Sequence, residues 1–387
     1  MILLDKPYVS EFLENTIKKN NYPVVKTSQL NSTLNNYKHE LTTDSAVQML
    51  KNTKNPVIYT NSENTIAWIA ENLSFTNLPG KIDIFKNKIK FRNLIKEDYP
   101  DFFYKEVKIN EIKNLDPSKF KFPFIIKPAA GFFSMGVYKV NDINHWNKIA
   151  ENIEKDISKT ADIYPLEVMN AESLIMEEYI EGDEYAVDVY FNDTGDPVVL
   201  GIFKHLFSGS DDVSDRVYIF SKNIIKENID DFTTFMKTVG KKAELSNFPV
   251  HAEFKKDKNG RFIPVEINPM RFGGWCTTAD MTWHSLGLNP YEYYLEGEKP
   301  DWDKFLKGKD NKIFSIIVLD NSTQVNASEI KDFDYKKLAS GLENVLDLRK
   351  INYLEYPVFG FVFAESEKEN FKEIENLLHS DLREFLI

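Results

Sequence analysis

The sequence predicts a mixed α/β and α+β protein with a small N-terminal α/β unit, a central unit with a largely antiparallel sheet, and a small C-terminal α+β unit. Three observations predict this class: a strand–turn–helix pattern near residues 56–73, paired strand candidates joined by turns between residues 122 and 274, and two apolar strand runs after residue 301. A chain of 387 residues is too long for one hydrophobic core. We place the boundaries at 1–85, 86–300 and 301–387.

The two outer units are predicted from short apolar runs and periodic segments. In the first unit, Tyr22–Lys26 and Pro56–Tyr59 are strand candidates, and Ile66–Leu73 has the apolar spacing of a helix. In the last unit, Lys312–Asp320 and Val358–Ala364 are strand candidates, and Glu367–Ile387 is expected to form a charge-rich amphipathic helix.

Composition excludes several classes of function. The 48 Lys and Arg against 60 Asp and Glu give a net charge of 48 − 60 = −12, which disfavours binding to nucleic acid or to an anionic membrane. One cysteine, Cys276, permits no internal disulfide and no cysteine cluster for zinc. We see no signal peptide at the N-terminus and expect a cytoplasmic protein.

The first candidate motif of the central unit is a lysine at the end of a strand. The run Phe122–Lys127 leads into a loop that contains Gly131, Ser134 and Gly136. Glycines let backbone N–H groups approach a polyphosphate, so Lys127 and this loop are a candidate phosphate site. An exposed lysine followed by a hairpin loop is the alternative explanation.

The second motif is an acidic connection between two strands. We interpret it as a hinge that reads adenine through backbone groups near Tyr179 and Ile180, while Glu184 accepts from ribose hydroxyls. A solvated acidic turn is the alternative. The candidate residues are Glu177, Glu178, Tyr179, Ile180 and Glu184.

The third motif is the most specific, because it places three oxygen donors on one face of a hairpin. Glu266 and Asn268 are two residues apart on a strand and therefore face the same side. A turn at Asn259-Gly260 brings Glu253 about opposite Glu266. Two carboxylates and an amide suit Mg²⁺, with Mn²⁺ as an alternative. Arg271 follows at the end of the strand, where an anion is expected.

In this order, the motifs resemble an ATP-grasp domain, the fold shared by D-alanine–D-alanine ligase, biotin carboxylase and L-amino acid ligases. The resemblance covers roughly Phe85 to Leu295 and implies a two-lobed ATP-grasp domain preceded by a pre-ATP-grasp unit. It also implies ATP as cofactor and Lys88, in Asn87-Lys88-x-x-Phe91-Arg92, as a second ATP-contacting lysine. One departure stands out: Met270 is inserted between Asn268-Pro269 and Arg271.

By this resemblance, the chain is an ATP-dependent ligase that activates a small carboxylate as an acyl phosphate, joins it to an amine, and releases ADP and phosphate. Arg271 is the candidate catalytic residue, since it would stabilise an oxyanion. Arg216, Gly273 and Trp275 are candidate substrate contacts, and His284 is a further possibility for the pocket wall. A homodimer is compatible with the sequence.

Two alternatives stay open. In the first, the chain is a carboxylase or carbamoyl-phosphate-type enzyme that transfers the phosphoryl group to bicarbonate, although neither a biotin-carrier segment nor a glutaminase cysteine is seen. A non-catalytic nucleotide-binding regulator is the second, and it would not need Glu253, Glu266 and Asn268 together.

Overall fold

The computed structural model describes residues 1–30, 32–130, 136–146, 148–153, 173–209 and 214–387. Its first unit is a three-stranded parallel sheet in the order β2-β1-β3, with apolar side chains buried against helices. The Ser10 hydroxyl caps the first helix by accepting from the Leu13 N–H, and Asn21 ends it in the left-handed conformation. The elements are β1 Ile2–Leu4, α1 Glu11–Asn20, β2 Val24–Lys26, α2 Thr43–Lys51, β3 Tyr59–Thr60 and α3 Thr65–Asn72.

A small antiparallel sheet follows two short helices. It has the order β4-β7-β5-β6, and its buried face encloses a separate core that includes Phe124, Ile126 and Trp146. The helices are α4 Leu78–Lys86 and α5 Lys88–Ile95, and the strands are β4 Tyr104–Lys108, β5 Phe124–Pro128, β6 Tyr138–Val140 and β7 Ser173–Glu178.

The large sheet has eight strands, all antiparallel to their neighbours, in the order β12-β11-β8-β9-β10-β13-β15-β14. Helix α6 packs on it through Phe232, Met236 and Val239, which recur on one buried face. The elements are β8 Gly182–Phe191, β9 Pro197–Leu206, β10 Val217–Phe220, α6 Lys222–Lys242, β11 Phe248–Asp257, β12 Phe262–Pro269, α7 Thr277–Leu286, α8 Pro290–Glu296, α9 Trp302–Phe305, β13 Lys312–Asp320, α10 Tyr335–Ser340, β14 Asn344–Lys350, β15 Val358–Glu367 and α11 Lys372–Leu378.

Two features of the C-terminal part differ from the expectation. The strands after residue 301 extend the large sheet, because β13 pairs with β10, so residue 301 does not separate two sheets. The helix expected over Glu367–Ile387 is only α11, Lys372–Leu378. Glu365 and Glu367 instead belong to β15, where both pair with Lys312 on the neighbouring strand. Among the described residues, no helix has the length and apolar content to cross a membrane.

Candidate functional site

The three predicted metal ligands lie on neighbouring positions of the β11–β12 hairpin. Glu253 is the register partner of Glu266, and His251 is the register partner of Asn268. The turn that sets this register ends at Gly260, whose φ of 78° suits glycine. The Asn268 amide approaches Glu253, with 3.5 Å between Nδ2 and Oε1. The hairpin therefore presents two carboxylates and one amide together.

The charges of this hairpin are not balanced. Burial and the neighbouring charge of Glu266 raise the pKa of the Glu253 carboxyl well above its usual range. In the described part of the chain, Glu253 forms no ion pair with Lys or Arg; its close titratable neighbour is His251, with Nε2 3.9 Å from Oε1. Glu253 is half-buried, and a partly desolvated carboxylate without a Lys or Arg partner is costly, so this arrangement favours a bound cation.

Lys88 joins the small sheet to the hairpin. It is the first residue of α5, which Asn87 caps by accepting from the N–H groups of Ile89 and Lys90. Its own N–H donates to the Ala129 carbonyl at 2.8 Å, just after β5. Its Nζ lies 2.9 Å from Glu266 Oε1. Burial lowers the pKa of Lys88, but the Glu266 carboxylate outweighs burial and the pKa is raised.

Lys127 belongs to a buried charge triad in the small sheet. Its Nζ lies 2.9 Å from Glu177 Oε2, and the other oxygen of Glu177 lies 2.5 Å from Arg92 Nε. The Arg92 guanidinium covers the Phe102 ring at 4.3 Å. Burial raises the pKa of Glu177, yet the two cations outweigh it and lower the pKa to about 2. Glu177 thus holds Lys127 Nζ in place near the end of β5.

The predicted hinge connects the small sheet to the large one. Glu178 ends β7, and Tyr179 and Ile180 cross to β8, which begins at Gly182. The Tyr179 N–H donates to the Pro123 carbonyl, with a distance of 3.4 Å, and Lys139 Nζ lies 4.3 Å from the centre of the Tyr179 ring. These contacts place the connection between β7 and β8 at the junction of the two sheets, where the hinge was expected.

Glu184 lies on β8 beyond the hinge and is held by two bases. His205 Nδ1 is 3.2 Å from Oε1, and Lys255 Nζ is 3.3 Å from Oε2. Burial opposes ionisation, but these partners lower the pKa of Glu184. Of the loop predicted to cover the phosphates, Gly136 has a φ of 72°, and Gly131 and Ser134 lie outside the described residues.

Arg271 reaches the site because the inserted Met270 bends the chain. Met270 has a φ of 70°, and its carbonyl accepts from the Thr60 N–H of β3 at 2.9 Å. Arg271 Nη2 lies 2.5 Å from Glu63 Oε1. Its pKa is raised: burial opposes the charge, but Glu63, Glu253 and Glu266 outweigh it. The insertion therefore keeps the guanidinium close to the hairpin carboxylates.

Sequence reasoning missed two groups of charged residues. Glu63 pairs with both Lys86 and Arg271; burial raises its pKa, but the two cations outweigh burial and lower the pKa to about 2. Arg92 is the second cation on Glu177. Arg92 belongs to the motif Asn87-Lys88-x-x-Phe91-Arg92, so the sequence places it near Lys88. No residue next to Glu63 in the sequence indicates the partners of Glu63.

A buried Asp–His pair lies beside the predicted metal ligands, and sequence reasoning missed it as well. Asp188 Oδ1 accepts from His251 Nδ1 at 2.7 Å and from the Gly273 N–H at 3.1 Å. Alternation on β11 places His251 two residues before Glu253, so the periodicity of the strand was the available signal. A side chain at Gly273 would meet Thr278, since an added Cβ lies 2.3 Å from its Oγ1. Asp188 thus connects the loop after β12 to His251 on β11.

One predicted substrate contact, Arg216, lies elsewhere, and another, Trp275, packs against an aromatic ring. The Arg216 guanidinium faces the C-terminal part, with Nε 2.6 Å from Asp320 Oδ1 and Nη1 donating to the Ser380 carbonyl at 2.8 Å. With these contacts, the Arg216 guanidinium does not lie on the face of the β11–β12 hairpin. Trp275 packs edge-on against Tyr356 at 5.0 Å between ring centres. Cys276 is buried, and burial raises the pKa of its thiol to about 11, so it does not have the lowered thiol pKa of a reactive cysteine.

Comparisons with known proteins agree with this geometry. Residues 120–279 match the family model described as an ATP-grasp domain. The chain is similar in structure to the L-amino acid ligase from Bacillus licheniformis, with 15% identity, a TM-score of 0.67, and coverage of 100% of this chain and 97% of that chain. For N5-carboxyaminoimidazole ribonucleotide synthetase from Thermotoga maritima, the identity is 13%, the TM-score 0.65 and the coverage 100% and 98%.

A third solved structure with this fold contains nucleotide and bicarbonate. It is the biotin carboxylase domain of the 2-oxoglutarate carboxylase from Hydrogenobacter thermophilus, with magnesium ADP, ADP and bicarbonate; the identity is 14%, the TM-score 0.58, and the coverage 95% of this chain and 86% of that chain. Identities this low establish a common fold. Among curated proteins, no sequence matches this chain.

Proposed function

Because this chain carries an ATP-grasp domain and has the ATP-grasp fold, we propose that it is an ATP-dependent ligase that joins a small carboxylate to an amine. The carboxylate, an amino acid or a related acid, attacks the γ-phosphate of ATP and becomes an acyl phosphate, with ADP as leaving group. The amine then displaces phosphate and forms an amide bond. The products are the amide, ADP and phosphate.

The observation that carries this proposal is the hairpin of Glu253, Glu266 and Asn268. Glu253 is half-buried without a Lys or Arg partner among the described residues, and its pKa is raised, as expected for a carboxylate at a cation site. No group of three or more His, Cys, Asp and Glu in the described part of the chain forms a metal cage. Oxygen donors that leave positions for water and phosphate fit Mg²⁺, with Mn²⁺ as the alternative. A metal held here would offset the charge of the phosphates.

The remaining residues of the site suit binding and orientation. Lys127 Nζ lies 2.9 Å from Glu177 and Lys88 Nζ lies 2.9 Å from Glu266, and both ammonium groups would bind phosphate oxygens. The backbone of Tyr179 and Ile180 would hold the adenine, and Glu184 the ribose. Arg271 would stabilise the oxyanion that forms when the amine attacks. Phosphoryl transfer needs positioning and charge rather than a protein nucleophile, so these residues suffice.

A carboxylase that activates bicarbonate is the second candidate. The Hydrogenobacter thermophilus domain, which was solved with bicarbonate, favours it. The same ATP and metal residues would serve either acceptor, so only the acceptor separates the two reactions. A non-catalytic nucleotide binder accounts less well for the complete set of Glu253, Glu266 and Asn268.

The test is turnover of Mg-ATP by the purified chain with amino acids, singly and in pairs, and with bicarbonate in separate reactions. We expect ADP, phosphate and an amide that mass spectrometry identifies. Glu266→Gln should abolish turnover, and Glu71→Gln, a change at an exposed position on α3, should not. AMP with pyrophosphate would contradict the acyl-phosphate scheme. ADP formed only with bicarbonate would favour the carboxylase.

A further inference from the structure

His251 lies on the same face of the β11–β12 hairpin as the three predicted metal ligands. It comes two residues before Glu253 on β11, and its register partner on β12 is Asn268. Side chains two residues apart on a strand point to the same side. His251 and Asn268 therefore form one row across the hairpin, and Glu253 and Glu266 form the next. The face thus carries an imidazole in addition to two carboxylates and an amide.

The buried Asp188 carboxylate determines the orientation of the His251 ring. Its Oδ1 lies 2.7 Å from His251 Nδ1 and also accepts from the Gly273 N–H. Because a carboxylate accepts hydrogen bonds, Nδ1 carries a proton and the neutral imidazole keeps its lone pair at Nε2. A metal-binding histidine is usually oriented in the same way, by a carboxylate or carbonyl on its other ring nitrogen.

His251 Nε2 is directed toward the predicted metal ligands. It lies 3.9 Å from Glu253 Oε1, and the same oxygen lies 3.5 Å from Asn268 Nδ2. A separation of 3.9 Å is too long for a hydrogen bond, and no described residue forms one with Nε2. Two donors that bind one ion at about 2.1 Å lie at most about 4.2 Å apart. The nitrogen and the carboxylate oxygen are therefore close enough to share a cation.

The charges on the hairpin indicate where this cation would lie. Lys88 already compensates the charge of Glu266, with 2.9 Å between Nζ and Oε1. Glu253 has no Lys or Arg partner in the described part of the chain, so a cation is most needed beside Glu253. His251 Nε2 and the Asn268 amide border this position, and rotation of the amide would present its oxygen.

We propose that His251 Nε2 is a further ligand of the cation at this hairpin and that the site binds Mn²⁺ more tightly than Mg²⁺. The inference rests on the metal site of the proposed function and deepens it, because that function requires oxygen donors alone. Both ions accept carboxylate and amide oxygens, but an imidazole nitrogen favours a transition metal over Mg²⁺. The histidine is thus the donor that distinguishes the two ions.

The test is electron paramagnetic resonance of Mn²⁺ bound to the full chain, first without nucleotide and then with ADP. An imidazole bound directly to Mn²⁺ produces a nitrogen modulation of the electron spin echo. We expect this modulation in the wild type and not in His251→Gln. Titration followed by the signal of free Mn²⁺ gives the affinity, which should fall about tenfold or more in His251→Gln. The Mg²⁺ affinity, measured by competition, should fall less.

Two further variants separate ligation from a general loss of structure. Asp188→Asn keeps Nε2 but weakens the acceptor that orients the ring, so Mn²⁺ affinity should fall about tenfold while the nitrogen modulation is retained. The matched control, His379→Gln, changes an exposed histidine just after α11 and should alter neither the affinity nor the modulation. Melting curves establish that each variant is folded.

Three results would overturn the inference: no Mn²⁺ binding by the folded wild type in either condition, bound Mn²⁺ without nitrogen modulation, or an unchanged modulation in His251→Gln. The wild-type spectrum needs no variant, so the inference stays testable if His251→Gln does not fold. Nitrogen-bound Mn²⁺ in a chain that turns over ATP with no acceptor would refute the ligase reaction and leave this inference standing. Turnover of Mg-ATP without nitrogen modulation would do the reverse.

Discussion

Replacing Glu177 by Gln tests the charge triad that holds Lys127. The carboxylate has its pKa lowered from the ordinary 4.5 to about 2, although burial alone would raise it. That difference corresponds to about 3 kcal/mol of stability, at 1.36 kcal/mol for each pKa unit. The variant leaves the buried cations Arg92 and Lys127 without their carboxylate, so we expect a loss of about 3 kcal/mol or more.

The lowered pKa of Glu177 also predicts how the stability difference between wild type and variant changes with pH. Because the folded-state pKa of Glu177 is depressed, its contribution is full above about pH 5 and is lost as the pH falls toward about 2. Urea unfolding, followed by circular dichroism, should therefore show a gap between wild type and Glu177→Gln that is widest near neutral pH and narrows in acid. The control is Glu178→Gln, because Glu178 is half-buried and burial raises its pKa. Equal losses in the two variants would refute the triad.

Two other predictions concern the hairpin. Glu253→Gln should raise the melting temperature without ligand, because it removes a half-buried carboxyl group whose pKa is raised by desolvation and by Glu266, and it should abolish Mg-ATP turnover. A lower melting temperature with normal turnover would show that Glu253 serves packing instead. Asp188→Asn keeps the shape but weakens the acceptor for His251 and the Gly273 N–H, so kcat should fall about 10- to 100-fold while the KM for ATP changes little. An unchanged kcat would contradict this positioning role, and melting curves check that the variant is folded.

The hairpin could be predicted because its information is local. Alternation along a strand fixes which side chains share a face, and Asn259-Gly260 fixes the turn, so the sequence predicts that Glu253 lies about opposite Glu266, as the register confirms. Lys88, in contrast, is expected only from the resemblance of Asn87-Lys88-x-x-Phe91-Arg92 to the ATP-grasp family, and the structure shows that Asn87 caps the helix that Lys88 begins.

The contacts that sequence reasoning missed are all long-range. Glu63 is 208 positions from Arg271, and Arg216 is 104 positions from the Asp320 that takes its charge. A charged side chain has no periodicity of its own, so its partner depends on how the sheets assemble. The C-terminal strands, which were expected to form a separate unit, are part of the large sheet. The sequence does not predict this, because the pairing of β10 with β13 has no local signal.

The pairing of Arg271 with Glu63 bears on how the arginine acts. The lowered pKa of Glu63, about 2, keeps it ionised at any pH at which an amine can attack, so the pair persists during the proposed reaction. A guanidinium has five N–H groups. Nε and Nη2 donate to Glu63, and Nη1 donates to the Phe272 carbonyl, so three are used among the described contacts and two remain. Arg271 therefore does not need to leave Glu63 to meet an oxyanion. The N-terminal unit, which supplies Glu63 and the Thr60 N–H that holds Met270, therefore orients the arginine without using all of its donors.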